Sequence, residues 1–236
     1  MDRLTRHDLK TDKFVEEVGQ TVHFLEEHRQ ALIRYGSIAL VLIVLAAAGY
    51  GYMRSKRAER QLALGKALDT YNAPVMQDAP AEIRAFRTEQ EKNEALMKAC
   101  NELIQKYPGS DEAAAATMLL GTHAADEGDV EAAERYLKQA AEKGSGNYAS
   151  LAQFALAQLY ASQGREAEAE KILRALSEKP TVLVTKEQAA LELARLVVKK
   201  NPEEARKLVS PLVSKPGAVG RIAASIMAEV NRKQGS

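Results

Sequence analysis

The sequence predicts an all-α protein: a single N-terminal transmembrane helix followed by an α-solenoid of antiparallel helix pairs. Three observations carry this. Ala, Leu, Glu, Lys and Arg, the good helix formers, dominate the 236 residues. Residues 35–53 contain no charge. Beyond residue 90, helix-stopping residues recur in steps of 36.

The uncharged run, Tyr35 to Met53, is bracketed by Arg34 and Arg54. Nineteen helical residues cover about 28 Å, close to the thickness of a bilayer core. Ile38, Leu40, Val41, Leu42, Ile43, Val44 and Leu45 drive insertion. Tyr35, Tyr50 and Tyr52 lie near the ends, where aromatic rings suit the interface, and Lys56 and Arg57 follow Arg54 on the C-terminal flank. Ala46, Ala47 and Ala48 offer the small residues of a signal-peptide cleavage site. The 34-residue tail before the span holds seven acids, however, whereas a signal n-region is short and basic. An uncleaved signal anchor is the better reading. Arg54, Lys56, Arg57, Arg60 and Lys66 after the span outnumber Arg29 and Arg34 before it. Local charge counting therefore puts the C-terminal side in the cytoplasm, but a long domain weakens that rule and orientation stays open.

Four regions follow: an amphipathic tail over 1–34, the membrane helix over 35–53, juxtamembrane helices and a connector over 54–90, and the repeats over 91–236. In the tail, Phe14, Val18, Val22, Leu25 and Leu32 keep helical spacing, with Thr11 or Asp12 as cap. That helix is either a plain lead-in or a partner-binding segment. After the span, Leu62, Leu64, Ala67 and Leu68 predict an apolar face on a charged helix that opens the solenoid. Asn72-Ala73-Pro74 ends it, and a second helix with Ile83, Phe86 and Leu96 leads onward. The basic residues after the span suit anionic headgroups, at about 1 kcal/mol each, or serve only solubility.

The repeat is read from columns. Pro108, Gly144, Pro180 and Pro216 stand 36 apart, as do Ile104, Ala140, Leu176 and Leu212. Cys100, Tyr136, Ile172 and Leu208 form another column, and Met97, Ala133, Ala169 and Ala205 a fourth. Gly128 and Gly164 mark the turn inside each unit. Small residues let two helices approach, and larger ones fill the space between units. One pair cannot bury its apolar face alone, but a stack can. Val219 to Lys233 reads as a final half-unit with Ile222, Ile226 and Val230 inward.

This unit resembles the tetratricopeptide repeat. Leu120-Gly121 and Leu156-Ala157 match the family's Leu and small residue in the first helix, Tyr160 its aromatic, and Ala133, Ala169 and Ala205 its second-helix alanine. Ala124 stands where Tyr160 does, the period is 36, Trp is absent, and Glu192-Leu193 makes the third unit look degenerate. The full layout (acidic tail, signal anchor, basic juxtamembrane helix, divergent repeats) and the segment 103–110, LIQKYPGS, are similar to the YfgM-type ancillary subunits of the bacterial Sec translocon. That resemblance implies an inner-membrane protein with a cytoplasmic N-terminus and periplasmic repeats. It also implies partnership with the translocon and periplasmic chaperones.

Function follows as protein binding. By the tetratricopeptide resemblance, a concave groove lined by first helices includes Met118, Thr122, Phe154, Gln158 and Ser162. It lacks the Lys and Asn set of carboxylate clamps, so weak apolar or backbone-directed recognition is expected. The alternatives are a structural repeat protein acting through self-association, and an envelope protein of division or wall assembly. No catalytic motif, phosphate loop or metal spacing is present, and charges nearly cancel at 33 basic against 32 acidic residues. No enzyme activity, cofactor, metal or nucleic-acid partner is expected. Cys100, beside Ala99, Leu103 and Ile104, reads as a small core thiol, and His23 and His28 miss the spacing for two ligands on one face. Oligomeric state is not legible.

Overall fold

The computed structural model describes residues 29–78 and 85–234. Residues 1–28 of the expected tail helix, with its caps, His23 and His28, lie outside the described residues, as does Ile83. The chain divides into two compact units, Met1–Ala58 and Glu59–Ser236.

In the first unit the described residues belong to one helix, α1 (Arg29–Asn72), which continues into the second. It is long and apolar enough to cross a membrane and lies near the N-terminus. Its apolar residues, from Ile33 to Met53, are exposed rather than buried in the fold. A spanning helix needs that, because every backbone polar group is satisfied internally while the side chains face lipid.

The second unit holds the end of α1 and eight further α-helices among the described residues. They are α2 (Glu89–Lys106), α3 (Asp111–Asp126), α4 (Val130–Lys143), α5 (Gly146–Ser162), α6 (Glu166–Glu178), α7 (Lys186–Val197), α8 (Pro202–Val209) and α9 (Ala218–Gln234). The C-terminal part of α1 pairs with α2, then α3 with α4, α5 with α6 and α7 with α8, and α9 closes against α8. The result is an all-α series of consecutive paired helices, a tetratricopeptide-like solenoid.

Local chemistry fixes the helix starts. Thr88, Ser110, Asp129, Thr185 and Asn201 each accept a backbone N–H from the first turn of the helix that follows. Two turns match the glycine reading. Gly128 and Gly164 take φ of 78° and 73°. Asp129 N–H donates to the Ala124 carbonyl and Gly128 N–H to Ala125, and Arg165 and Gly164 repeat this with Tyr160 and Ala161. These are Schellman closures, which need a left-handed residue at the penultimate place.

Three expectations fail locally. Leu62 and Leu68 are exposed, because the buried stripe of α1 runs through Ala63, Leu64, Ala67, Thr70 and Tyr71. Leu62 lies five residues before Ala67, about 140° around the helix, and so faces away. Phe86 is not helical. It pairs with Val75 in an isolated parallel bridge, with Met76 N–H donating to the Phe86 carbonyl at 2.8 Å. The Thr88 cap then starts α2 three residues after Phe86, at Glu89.

The third failure is one of register. The step of 36 holds among the second helices α4, α6 and α8, where Ala133, Ala169 and Ala205 are all fully buried. It fails by one residue at α2. Met97 is 46 % exposed, while Leu96 and Cys100 are fully buried and Leu103 nearly so. The equivalents are therefore Leu96 with Ala133, Cys100 with Leu137, Leu173 and Val209, and Leu103 with Ala140, not Ile104 with Ala140. The column Tyr136, Ile172 and Leu208, which a strict step of 36 aligns with Cys100, is only half-buried. The thiol of Cys100 is pushed up to about 12 by burial, in keeping with an inert core group.

A second slip separates α5 from α7. Ala152, Leu156, Ala157 and Tyr160 correspond to Ala189, Leu193, Ala194 and Val197, all buried, at a step of 37. The third unit is not degenerate: Leu193-Ala194 is its Leu and small residue. The extra residue sits in the stretch 179–185, where Val184 is buried against Leu176 and Ala189. The α7–α8 turn is one residue shorter in return, so Lys200 stands where Gly128 and Gly164 stood, without positive φ. Of the closing half-unit, Ile226 and Val230 are buried with Ala223, and Ile222 is half-buried.

Candidate protein-binding surface

Once the slips are applied, the first helices of the four pairs share a register. Leu68, Thr122, Gln158 and Arg195 occupy one place, and Asn72, Asp126, Ser162 and Lys199 the place one turn on. Thr122 is half-buried and the other seven are exposed. They form a strip across the first helices that grades from apolar and neutral at α1 to basic at α7.

The five groove residues expected from sequence fall into two groups. Gln158 and Ser162 lie one turn apart on the exposed strip, the Ser162 hydroxyl donating to the Leu159 carbonyl at 2.7 Å. Thr122 flanks them on α3, its hydroxyl donating to the Met118 carbonyl at 3.2 Å. Met118 and Phe154 are half-buried and pack against the main core, and Phe154 also packs against Leu176, Val184 and Ala189. Their side chains fill space between units as well as reaching the surface. Asp126, Arg195 and Lys199 were missed as members of the strip. A step of 36 points at Ala194, which is fully buried, instead of Arg195.

The ends of α1 and α3 meet through Tyr71, whose hydroxyl donates to Asp126 at 2.7 Å and whose ring stands edge-on to His123. The hydrogen bond to Asp126 pushes the Tyr71 phenol up to about 12. Asp126 and Asp129, at the turn between α3 and α4, thus both have structural partners, Tyr71 and the Ala132 N–H. Glu112 lies in the first turn of α3 and is buried, and Arg60 of α1 meets it at 3.0 Å.

The firmest polar cluster lies between α4, α5 and α6. The Arg165 guanidinium grips Glu168 through two nitrogens, reaches Glu134 at 2.5 Å, and lies 3.9 Å over the Tyr160 ring. Tyr160 donates to Glu134 at 2.9 Å, and Lys138 completes the cage at 2.6 Å. Arg165, then Lys138, hold the Glu134 carboxyl down to about 2. Every charge has a partner, so the cluster is a clamp for three helices rather than a reactive centre.

The membrane-flanking residues Arg34, Tyr35, Tyr50, Tyr52, Arg54 and Arg57 are exposed on α1, and the Lys56 ammonium sits 5.9 Å over the Tyr52 ring. No group of three His, Cys, Asp or Glu that could hold a metal ion occurs among the described residues.

A profile for the tetratricopeptide repeat-like domain matches residues 23–180, about two thirds of the chain. Its limit falls at Pro180, where the extra residue before α7 shifts the register. No curated protein and no solved structure matches the chain.

Proposed function

The chain belongs to the family of tetratricopeptide repeat-like domains, and on that premise we propose that it is a membrane-anchored adaptor of the YfgM type. In this reading it sits beside the Sec translocon of a bacterial inner membrane, N-terminus in the cytoplasm and repeats in the periplasm. It presents periplasmic chaperones or exported chains with a binding strip. The repeat fold is a non-catalytic protein-protein interaction scaffold, which supports the general role. The layout of acidic tail, apolar helix and divergent repeats supports the more specific one.

The observation that carries the binding site is the exposed strip through Gln158 and Ser162. Backbone-capable amides and hydroxyls with few charges at its centre suit weak recognition of extended or helical segments of varied sequence. Arg195 and Lys199 at one end favour a segment with an acidic flank.

A photo-crosslinking side chain at position 158 of the full chain, in membranes of cells carrying an extracytoplasmic reporter on the C-terminus, tests both parts. An active reporter with adducts to translocon subunits, chaperones or exported chains is expected. A silent reporter overturns the topology. An active reporter with position 158 no more reactive than Ala224, on the exposed side of α9, overturns the binding strip.

A further inference from the structure

The start of the stack carries a second surface, unrelated to the strip. Ala67, Gly121, Ala157 and Ala194 are all buried at the point where each first helix meets its second. Aligned on them, Leu62, Ala116, Ala152 and Ala189 share one place, and Lys66, Leu120, Leu156 and Leu193 another. In the three later pairs both places are buried. Ala116 and Leu120 are covered by α2, packing with Leu96, Cys100 and Leu103. Leu156 is likewise covered by Ala133 and Leu137 of α4. Each pair thus has a slot that the second helix of the preceding pair fills.

Among the described residues, no preceding helix fills it in the first pair. Leu62 is 65 % exposed there, and a hollow of about 310 Å³ runs between α1 and α2. Its lining is Leu62, Ala63, Ala99, Leu103 and Tyr107, edged by Glu59, Lys66, Glu102 and Lys106. Terminal repeats ordinarily present a polar outer face to water. This one keeps a leucine at the centre of the slot and places two acids and two bases around it.

We propose that this slot is a homodimerisation surface, filled by α2 of a second copy of the chain. The charge pattern selects that occupant. Tyr107 donates to Glu59 at 2.9 Å, which fixes the level of α1 against the antiparallel α2. Lys106 therefore lies level with Glu59. Lys66, about 10 Å further along α1, lies near the turn that holds Glu102. A two-fold axis parallel to these helices lays α1 of one copy on α2 of the other, level with level. Glu59 then faces Lys106 of the second copy and Lys66 reaches its Glu102, with Leu62 between the two pairs. Both contacts occur twice, as a two-fold interface requires. The two copies of α1 also run in the same direction. This dimer is independent of which partners occupy the Gln158 strip.

Thiol-specific cross-linking of the full chain in phospholipid vesicles tests the proposal. Native Cys100 is buried and needs no replacement. Leu62→Cys is expected to give a dimer cross-linked by a flexible bismaleimide that reaches diagonally across the interface, severalfold above Ala224→Cys on the exposed side of α9. Lys66→Glu in the Leu62→Cys background sets like charges against each other and is expected to cut the yield severalfold. Adding Glu102→Lys restores it. Leu62→Cys yields no higher than Ala224→Cys, or a Lys66→Glu loss that Glu102→Lys does not recover, overturns the dimer. So does a Leu62→Cys adduct that forms only with another protein.

Discussion

Leu193→Ala and Glu192→Ala together decide the register of the third helix pair. On the uninterrupted step of 36, Glu192 fills the place of Leu120 and Leu156, and Leu193 that of the small residue. In the structure Leu193 is 2 % exposed and Ala194 fully buried, while Glu192 is half-buried on the flank of α7. Leu193 packs in one cluster with α5, α6, α8 and α9, so its removal leaves a cavity that no single helix can close. Leu→Ala at such a site costs about 3 kcal/mol, within the 2–5 kcal/mol range for cavity-forming changes. In a unit of this size each kcal/mol lowers Tm by about 2–4 °C, so the loss is about 6–12 °C. Glu192→Ala removes a surface carboxylate whose Arg195 partner is 3.8 Å away, and is expected to change stability by less than about 0.5 kcal/mol. Far-ultraviolet circular dichroism during thermal unfolding of the full chain in detergent reads both. Comparable losses for the two variants, or the larger loss for Glu192→Ala, would refute the slipped register and with it the placing of Arg195 on the binding strip.

Arg60→Met strands the buried Glu112 and is expected to cost about 2 kcal/mol, below the 3–5 kcal/mol of fully buried pairs because Arg60 keeps some water contact. Adding Glu112→Gln recovers most of it, and hydrogen exchange across residues 60–72 reports the loosening. Glu134 is held down to about 2 from an ordinary value of 4.5 by Arg165 and Lys138. A depressed carboxyl stabilises the fold fully above pH 4.5 and loses that contribution as pH falls toward 2. The stability gap between wild type and Glu134→Gln therefore narrows through that window, and a constant gap contradicts the cage. A Cβ on Gly121 would sit 2.9 Å from Leu137 Cγ, so Gly121→Val is expected to cost about 1–3 kcal/mol by overpacking α3 against α4. Gly128→Ala meets nothing within 4 Å but must hold φ near 78°, for about 1 kcal/mol. Urea titration ranks the two.

The class of fold was legible because it rests on patterns that survive small errors: an uncharged run, helix stops and columns of alanine. The details that failed share one physical origin. A step of 36 read from Pro108, Gly144, Pro180 and Pro216 locates turns, and a turn can absorb a residue without disturbing the helices it joins. Burial is less tolerant. One residue is 100° on a helix, enough to swap Met97 for Leu96 or Ala194 for Arg195 between surface and core. Phe86 failed differently, because its bridge to Val75 closes a connector whose geometry no periodicity encodes.

The same tolerance explains why two surfaces of this stack differ in how far sequence could reach them. The Gln158–Ser162 strip belongs to a place repeated in every pair, so a family resemblance pointed to part of it, and the register correction extends it to Arg195 and Lys199. The slot beside Leu62 has no such signal. Its meaning comes from a comparison across pairs that only coordinates allow: Ala116, Ala152 and Ala189 are covered and Leu62 is not. A solenoid that ended in water at this place would gain solubility from Lys, Glu or Gln at position 62. Leucine there is expected only if something apolar covers it. With Glu59 level with Lys106 and Lys66 within a turn of Glu102, the chain itself supplies a surface of the required shape and charge.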